Sequence, residues 1–326
     1  MARKRALSKA VLILPLLGSL GLLIGWTQSP DSPADSQGTA QATIRVESDL
    51  VLVPVSVTDA SRRPVKDLAA QDFQIAEDGT LQEIASMQEP GRSSVELALL
   101  IDISGSVASR FDFEQKAGAD FVRSVASPQK NISIFTIGPR PGRVSDPSND
   151  PTRVIDALMS VRPRRDATAF YDTLAEAAGF LRRVATPFSR RVQIVITDGE
   201  DNYSLKYGLD SALRELQRAD CMFYSINPAK SSVSINVISR RAQNNLEYLA
   251  LQTGGEAFLP DDWSELPSIY SVIAADLQAQ YLLGYYSSRT VNDGAFRRIS
   301  VTIPQRPDLR IRARQGYFVP TQGQIG

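Results

Sequence analysis

Residues 97–106 read Leu-Ala-Leu-Leu-Ile-Asp-Ile-Ser-Gly-Ser, an apolar run that ends in one carboxylate, Asp102, and two hydroxyls, Ser104 and Ser106. An apolar run of this length without polar breaks is typical of a strand buried on both faces of a parallel sheet. Open α/β sheets bind ligands beyond the carboxyl ends of such strands. Carboxylate and hydroxyl oxygens suit Mg²⁺, Mn²⁺ or Ca²⁺ better than zinc or copper. The stretch therefore predicts an α/β fold with a hard-cation site at one edge of its sheet.

The composition of the chain excludes several kinds of chemistry. Its 326 residues include no histidine and one cysteine, Cys221. Ser-His-Asp and Cys-His catalysis, His/Cys zinc sites and a disulfide within the chain are therefore excluded. Cys221 begins an apolar run and is predicted to be a buried small hydrophobe. Because 36 Lys and Arg balance 36 Asp and Glu, no global field favours a nucleic-acid partner.

The amino terminus has the pattern of an export segment. Arg3, Lys4 and Arg5 precede an apolar stretch from Val11 to Trp26. We expect residues 1–26 to be a signal peptide or an uncleaved signal-anchor that contacts the membrane. The remainder would then be exported, either periplasmic or extracellular. Residues 27–42, rich in Ser, Pro, Gln and Asp, are predicted to be a flexible linker.

The middle of the chain alternates apolar strand-like runs with helical patterns, which predicts a doubly wound, mostly parallel, Rossmann-like sheet over residues 95–280. The predicted strands are 96–103, 131–138, 191–197, 221–226 and 255–259. The predicted helices are 111–126, 151–161, 169–185, 209–219, 241–252 and 264–279.

Both flanks of this domain alternate apolar and polar residues instead. Residues 43–92 form a predicted amino-terminal β segment, with Glu77-Asp78-Gly79 as a hairpin turn. Residues 281–320 form a carboxy-terminal β segment, and its tyrosines are expected to be sheet or core residues. Each flank offers few strands for a stable domain. Either the two close one β-sandwich around the inserted central domain, or they form two independent small units.

A second predicted strand, 191–197, also ends in a carboxylate, at Asp198-Gly199. Between the two strands, Thr168 opens a predicted helix. If the two strands are neighbours, five oxygen-bearing side chains lie together at one sheet edge.

These residues resemble the von Willebrand factor A domain and its metal-ion-dependent adhesion site. That site combines Asp-x-Ser-x-Ser, matched by Asp102, Ser104 and Ser106, with a distant Thr, matched by Thr168, and a distant Asp, matched by Asp198. The flanks, with Asp72-Phe73 and Tyr281-Leu-Leu-Gly-Tyr285, resemble the bacterial "VWFA-related" group of exported proteins. One departure is Asp166-Ala167, where the family often has Gly-Gly.

The resemblance implies that these five residues hold Mg²⁺, Mn²⁺ or Ca²⁺ and that a protein partner supplies an Asp or Glu to the cation. The expected function is therefore cation-dependent protein binding without catalysis. Two alternatives remain open: a Mg²⁺-dependent hydrolase, which needs a general base near the metal, and an envelope assembly or structural factor.

Three further groups near the predicted site have open roles. Glu200 and Asp201 either support the site or belong to a solvated loop. The arginines at 162, 164 and 165 either attract an acidic partner or are solvated charges. Residues 227–240 form a polar loop that is a candidate specificity element.

Overall fold

The computed structural model describes residues 50–164, 167–228, 237–289, 291 and 293–319. The strands within them are β1 (Leu50–Thr58), β2 (Gln74–Glu77), β3 (Thr80–Gln82), β4 (Ile84–Gln88), β5 (Val95–Asp102), β6 (Lys130–Ile137), β7 (Gly142–Arg143), β8 (Arg190–Ile196), β9 (Cys221–Ile226), β10 (Ala257–Phe258), β11 (Tyr281–Tyr286), β12 (Phe296–Thr302), β13 (Arg310–Ala313) and β14 (Gly316–Phe318). The helices are α1 (Phe111–Val125), α2 (Pro151–Ser160), α3 (Phe170–Val184), α4 (Leu209–Arg218), α5 (Val237–Thr253) and α6 (Leu266–Ala279).

The predicted export segment 1–26, the linker 27–42 and residues 43–49 lie outside the described residues. In the part of the chain that is described, no helix has the length and apolarity needed to cross a bilayer.

The central domain contains a six-stranded sheet with the order β10-β9-β8-β5-β6-β7. All neighbouring pairs are parallel except β6 with β7. Every residue of β5 is buried, as its unbroken apolar run predicts for a central strand. The predicted doubly wound sheet is confirmed, and most of its strands and helices begin and end close to their predicted bounds.

Two elements of this domain differ from their predicted length. The helix expected at 241–252 begins earlier, at Val237. The strand expected at 255–259 is reduced to two residues, Ala257–Phe258. Gly254 before it has a φ of +82°, and a Cβ on Gly255 would lie 1.9 Å from the Phe223 carbonyl oxygen. The chain therefore turns sharply against β9 before its short parallel pairing begins.

Each face of the central sheet has its own hydrophobic core. Side chains alternate between the faces of a strand, so Leu97, Leu99 and Ile101 of β5 pack with α1, α2 and α6. Ala98 and Leu100 of the same strand pack with α3, α4 and α5. With both faces covered, only the ends of the strands are left to carry a ligand site.

The flanks form two four-stranded antiparallel sheets, with the orders β13-β1-β11-β4 and β14-β12-β2-β3. Strands from both flanks pair in each sheet: β1 with β11, and β2 with β12. Apolar residues of the two sheets form one buried cluster, which includes Val53, Ile75 and Tyr285. We call residues 50–88 and 281–319 the sandwich region.

The sandwich region contacts the central domain at the amino ends of the parallel strands. Arg190, the first residue of β8, donates from Nη1 to Gln280 Oε1 at 2.6 Å. Gln280 Nε2 donates to Ser56 Oγ of β1 at 3.0 Å, and Arg312 of β13 pairs with Asp276 of α6. The opposite, carboxyl ends of the same strands are therefore free of this contact.

Candidate functional site

The carboxyl ends of β5 and β8 bring two carboxylates to the same edge of the sheet. The strands are parallel neighbours, with Ile101 of β5 beside Ile196 of β8. Asp102 ends β5, and Asp198 follows β8 by two residues. Asp102 is fully buried, whereas Asp198 is half-buried and Ser106 is exposed. The site therefore extends from the interior of the sheet to its surface.

A continuous chain of short contacts joins four of the predicted site residues. The Asp102 carboxylate accepts the Ser104 backbone N–H at 2.8 Å. The Ser104 and Ser106 hydroxyl oxygens lie 3.0 Å apart. Ser106 Oγ donates to Asp198 Oδ2 at 2.9 Å. The structure thus brings Asp102, Ser104, Ser106 and Asp198 together, as the motif predicts.

The turn after β8 holds Asp102 and Asp198 in place. Thr197 Oγ1 donates to Asp102 Oδ2 at 2.8 Å and accepts the Gly199 backbone N–H at 3.0 Å. Gly199 has a φ of +77°, and a Cβ there would lie 2.9 Å from the Leu246 side chain. A side chain at position 199 would therefore be strained in conformation and crowded as well. The local Thr-Asp-Gly sequence is what this tight turn requires.

Thr168, the fifth predicted residue, is buried beside the same loop but makes no described hydrogen bond to the other four through its hydroxyl. Its backbone is fixed instead. Its N–H donates to Asn202 Oδ1 at 2.8 Å, and its carbonyl accepts the backbone N–H groups of Asn202 and Tyr203, each at 3.1 Å. The next residue, Ala169, donates its N–H to the Gly138 carbonyl at 2.7 Å. Thr168 is thereby placed between the ends of β8 and β6.

Asp201 binds the amino terminus of α3, next to Thr168 in the chain. Its Oδ1 accepts the Phe170 backbone N–H at 2.8 Å at the first turn of α3. A carboxylate at a helix amino terminus stabilises the unpaired N–H groups there. The structure adds Thr197 and Asn202, which the sequence analysis did not single out. The tie between Asn202 and Thr168 spans 34 residues, and no local pattern indicates it.

The carboxylates at this edge of the sheet disfavour each other's charge. Burial raises the pKa of Asp102, the hydrogen bonds from Ser104 and Thr197 oppose that rise, and the neighbouring charge of Asp198 adds to it. Glu114 of α1 is also fully buried, and burial raises its pKa to about 7, with Asp102 and Asp198 contributing. A positive charge at this edge would relieve the repulsion among these carboxylates.

The remaining expectations divide between described and undescribed residues. Arg162 and Arg164, which precede Thr168 in the sequence by a few residues, are exposed. Arg165, Asp166 and residues 229–236 of the predicted polar loop lie outside the described residues. Cys221 is buried, and burial raises the pKa of its thiol well above the usual range. Tyr281 and Tyr285 are buried in β11, whereas Tyr286 is 55% exposed.

Comparison with known proteins supports the predicted resemblance. Residues 97–200 match the family model of the von Willebrand factor type A domain. No protein with a curated description matches the chain.

Solved structures with similar folds include three from different organisms. The conserved hypothetical protein BatB from Bacteroides thetaiotaomicron is 16% identical, with a TM-score of 0.43 over 56% of this chain and 98% of that one. The vWF domain of the type V pili tip protein Mfa5 from Porphyromonas gingivalis is 13% identical, with a TM-score of 0.46 over 56% and 94%. Proximal thread matrix protein 1 from the mussel byssus, with a zinc-occupied MIDAS motif, is 15% identical, with a TM-score of 0.48 over 63% and 50%.

Proposed function

We propose that the central domain binds a protein partner through a divalent cation held by Asp102, Ser104, Ser106, Thr168 and Asp198. The observation that carries this proposal is the spacing of the oxygen atoms. Neighbouring ligands of an octahedral Mg²⁺ at about 2.1 Å lie about 3.0 Å from each other. The Ser104–Ser106 hydroxyl distance is 3.0 Å and the Ser106–Asp198 distance is 2.9 Å. The spacing of the Ser104, Ser106 and Asp198 oxygens therefore supports a cation of this kind.

The charges of the site favour a partner with an acidic side chain. Two of the five side chains are carboxylates and three are neutral hydroxyls. If the hydroxyls occupy part of the coordination shell, the cation retains positive charge toward solvent on the exposed side, where Ser106 lies. An Asp or Glu of a partner is the ligand that this arrangement favours. The hard oxygens favour Mg²⁺, Mn²⁺ or Ca²⁺.

Binding explains these residues better than hydrolysis does. Metal-assisted hydrolysis of phosphate esters often uses two metal ions held by several carboxylates. Among the described residues, no group of three or more His, Cys, Asp or Glu side chains is arranged to hold a metal. We propose adhesion-type recognition for the site because of its two carboxylates and three hydroxyls, and hydrolysis is the alternative that the phosphoester assay below tests.

We also propose that the chain is exported and that residues 11–26 anchor it to the membrane. The basic residues before Val11 and the apolar stretch that follows support this placement. Amino-terminal sequencing of the mature protein tests the anchor. A mature chain that starts between residues 27 and 43 would show that the anchor is removed.

The cation proposal is tested by calorimetric titration of Mg²⁺ and Mn²⁺, with Zn²⁺ as a third arm. Ser106→Ala removes a hydroxyl at the exposed end of the site and should weaken cation binding at least tenfold. Ser109→Ala is the matched control, because Ser109 is exposed on the same loop and makes no described side-chain hydrogen bond. Equal cation affinity in wild type and Ser106→Ala would contradict the assignment.

Partner binding is tested separately, with pull-downs from envelope extract in Mg²⁺ and in chelator. Thr168→Ala should weaken capture of the partner more than it weakens Mg²⁺ binding, because the Thr168 hydroxyl is not engaged with the other four residues. Turnover of a generic phosphoester that depends on Mg²⁺ and on Ser106 would instead support the hydrolase.

A further inference from the structure

A cleft of 540 Å³ lies beside the candidate cation site, at the carboxyl ends of β5 and β6. The cleft adjoins the site through the chain and through one backbone hydrogen bond. Ile103, which lines the cleft, directly follows Asp102. Gly138, also in the lining, accepts the backbone N–H of Ala169, the residue after Thr168. Arg164 donates its backbone N–H to the Ile103 carbonyl at 2.6 Å.

The charged residues of this cleft are all positive. Arg140, Arg162 and Arg164 line it, and no acidic side chain among the described residues does so. All three are exposed. Arg162 donates from Nη1 to the carbonyls of Met159 and Val161, at 2.6 and 2.8 Å, and so closes the end of α2. Among the described residues, no hydrogen bond or ion pair engages the guanidinium groups of Arg140 and Arg164.

Unpaired guanidinium groups around a cleft are suited to carboxylates, which they bind through two parallel N–H groups. The floor of the cleft is partly apolar, with Ile103 and Val161 buried in it. An acidic peptide has the charge that such a surface favours. A fixed basic patch beside a cation also raises the association rate of an acidic partner.

We propose that the cleft is a second contact for the same partner and that it binds an acidic segment next to the carboxylate on the cation. This inference rests on the proposed function, since the cation fixes the register of the partner. The partner is then a protein whose metal-binding Asp or Glu is accompanied by further acidic residues. Arg140 and Arg164 determine this specificity, while the five site residues determine the dependence on the cation.

The test uses two fluorescent peptides and one double variant. The first peptide, Gly-Asp-Gly-Glu-Glu-Glu, has an acidic tail, and the second, Gly-Asp-Gly-Gln-Gln-Gln, has a neutral one. In millimolar Mg²⁺, wild type should bind the first peptide about fivefold more tightly. Arg140→Gln/Arg164→Gln should remove this preference without changing Mg²⁺ affinity. Arg162 is left in place because it holds the end of α2.

Arg182→Gln/Arg214→Gln is the matched control. Both arginines are exposed, have no described partner, and lie on α3 and α4, so the net charge changes equally. This control should keep the preference for the acidic tail. If the control also loses the preference for the acidic tail, the assignment of the cleft is wrong, because the net charge of the protein would then explain the binding.

The outcomes separate the two proposals. If both peptides bind equally and only in Mg²⁺, the proposed function stands and the cleft is wrong. If neither peptide nor Mg²⁺ itself binds, the proposed function fails and the cleft assignment falls with it. If the acidic peptide binds equally well in chelator and in Mg²⁺, the proposal that the cleft and the cation bind the same partner is wrong. If a single-stranded oligonucleotide of equal charge competes for the cleft more strongly than the acidic peptide does, the proposal that the partner is a protein is wrong.

Discussion

Glu77 in the sandwich region and Asp102 in the central domain are both 0% exposed, yet their surroundings differ. Glu77 Oε1 accepts from Ser287 and Arg297, at 2.7 and 3.1 Å. Its Oε2 accepts from Tyr285 and Tyr317, at 2.7 and 2.9 Å. Asp102 accepts from two uncharged donors, Ser104 and Thr197, and the charge of another carboxylate, Asp198, raises its pKa further. Hydrogen bonds and a counter-charge therefore compensate the buried charge of Glu77, whereas the buried charge of Asp102 is not compensated in this way.

The difference is visible in the direction of the two pKa shifts. Burial alone would raise the pKa of Glu77, but the donors from Ser287, Tyr285, Tyr317 and Arg297 outweigh it and leave the pKa lowered. Burial raises the pKa of Asp102, and its donors do not cancel the rise. A saturated buried carboxylate stabilises the fold, whereas an undercompensated one at a sheet edge indicates a site for a positive ligand.

The largest effect is expected from a truncation in the sandwich region, which contains Glu77. Removing residues 290–326 deletes β12, β13 and β14, and with them Arg297, one partner of β1 and one partner of β2. We expect amide-exchange protection of residues 50–88 to be lost, because those strands then have unpaired edges and an incomplete core. Removal of residues 320–326 alone, which leaves every described strand intact, is the control. Unchanged protection of 50–88 would show that the flanks are independent units.

Glu77→Gln removes one charge and leaves the pairing geometry. The Gln amide nitrogen would face hydroxyl or guanidinium donors, and Arg297 would be buried without its counter-charge. We expect a loss of about 3–5 kcal/mol of unfolding free energy, measured by urea denaturation. Glu83→Gln is the control, since Glu83 lies in the short connection between β3 and β4. A loss no larger than that of the control would remove the structural role assigned to Glu77.

We expect acid to destabilise the wild-type protein through protonation of Glu77. Because the folded pKa of Glu77 is lowered from its ordinary value of 4.5, the folded state holds fewer protons than the unfolded chain. Its stabilisation is therefore present above pH 4.5 and is lost as the pH falls below that value. The Glu77→Gln variant should lack this part of the acid dependence.

The contrast also shows what the sequence can and cannot predict. The apolar run of β5 and the largely apolar sequence of β8 predict buried strands. A parallel sheet in which they are neighbours brings their carboxyl ends together, so Asp102 and Asp198 are predicted to lie close to each other. Alternation in the flanks predicts which side chains are buried but not which strand pairs with which. The Glu77–Arg297 pair spans 220 residues. Nothing local to either residue indicates it.

The charge of Glu114 of α1 is compensated less completely than that of Glu77 and more completely than that of Asp102. Its Oε1 accepts from Arg110 Nε at 2.7 Å, but among the described side chains its Oε2 has no hydrogen-bond partner. Burial raises its pKa from 4.5 to about 7, against the opposing charge of Arg110. The folded state therefore retains a proton that the unfolded chain has released between these two pH values. The contribution of Glu114 to stability is present below pH 4.5 and is lost as the pH rises through 7.

We therefore expect the metal-free protein to lose on the order of 3 kcal/mol between acidic and mildly alkaline pH through this residue. Glu114→Gln should remove that loss, as measured by urea unfolding in chelator at pH values below and above the interval. Asp112→Asn, an exposed acid on the same helix, should leave the pH dependence unchanged. A wild-type stability that does not fall across the interval would show that Arg110 keeps Glu114 charged.

The smallest expected effect is the most direct comparison with Glu77. Asp102→Asn keeps the shape of the side chain and the acceptor for the Ser104 N–H, and it removes a buried charge that faces Asp198. In chelator we expect the unfolding free energy to change by no more than about 1 kcal/mol, in contrast to the loss in Glu77→Gln. In Mg²⁺ at one hundred times its dissociation constant, wild type should gain about 2.7 kcal/mol and the variant almost nothing. If the variant is strongly destabilised in chelator, the charge of Asp102, like that of Glu77, stabilises the fold. If the variant gains as much stability from Mg²⁺ as wild type does, the cation binds elsewhere.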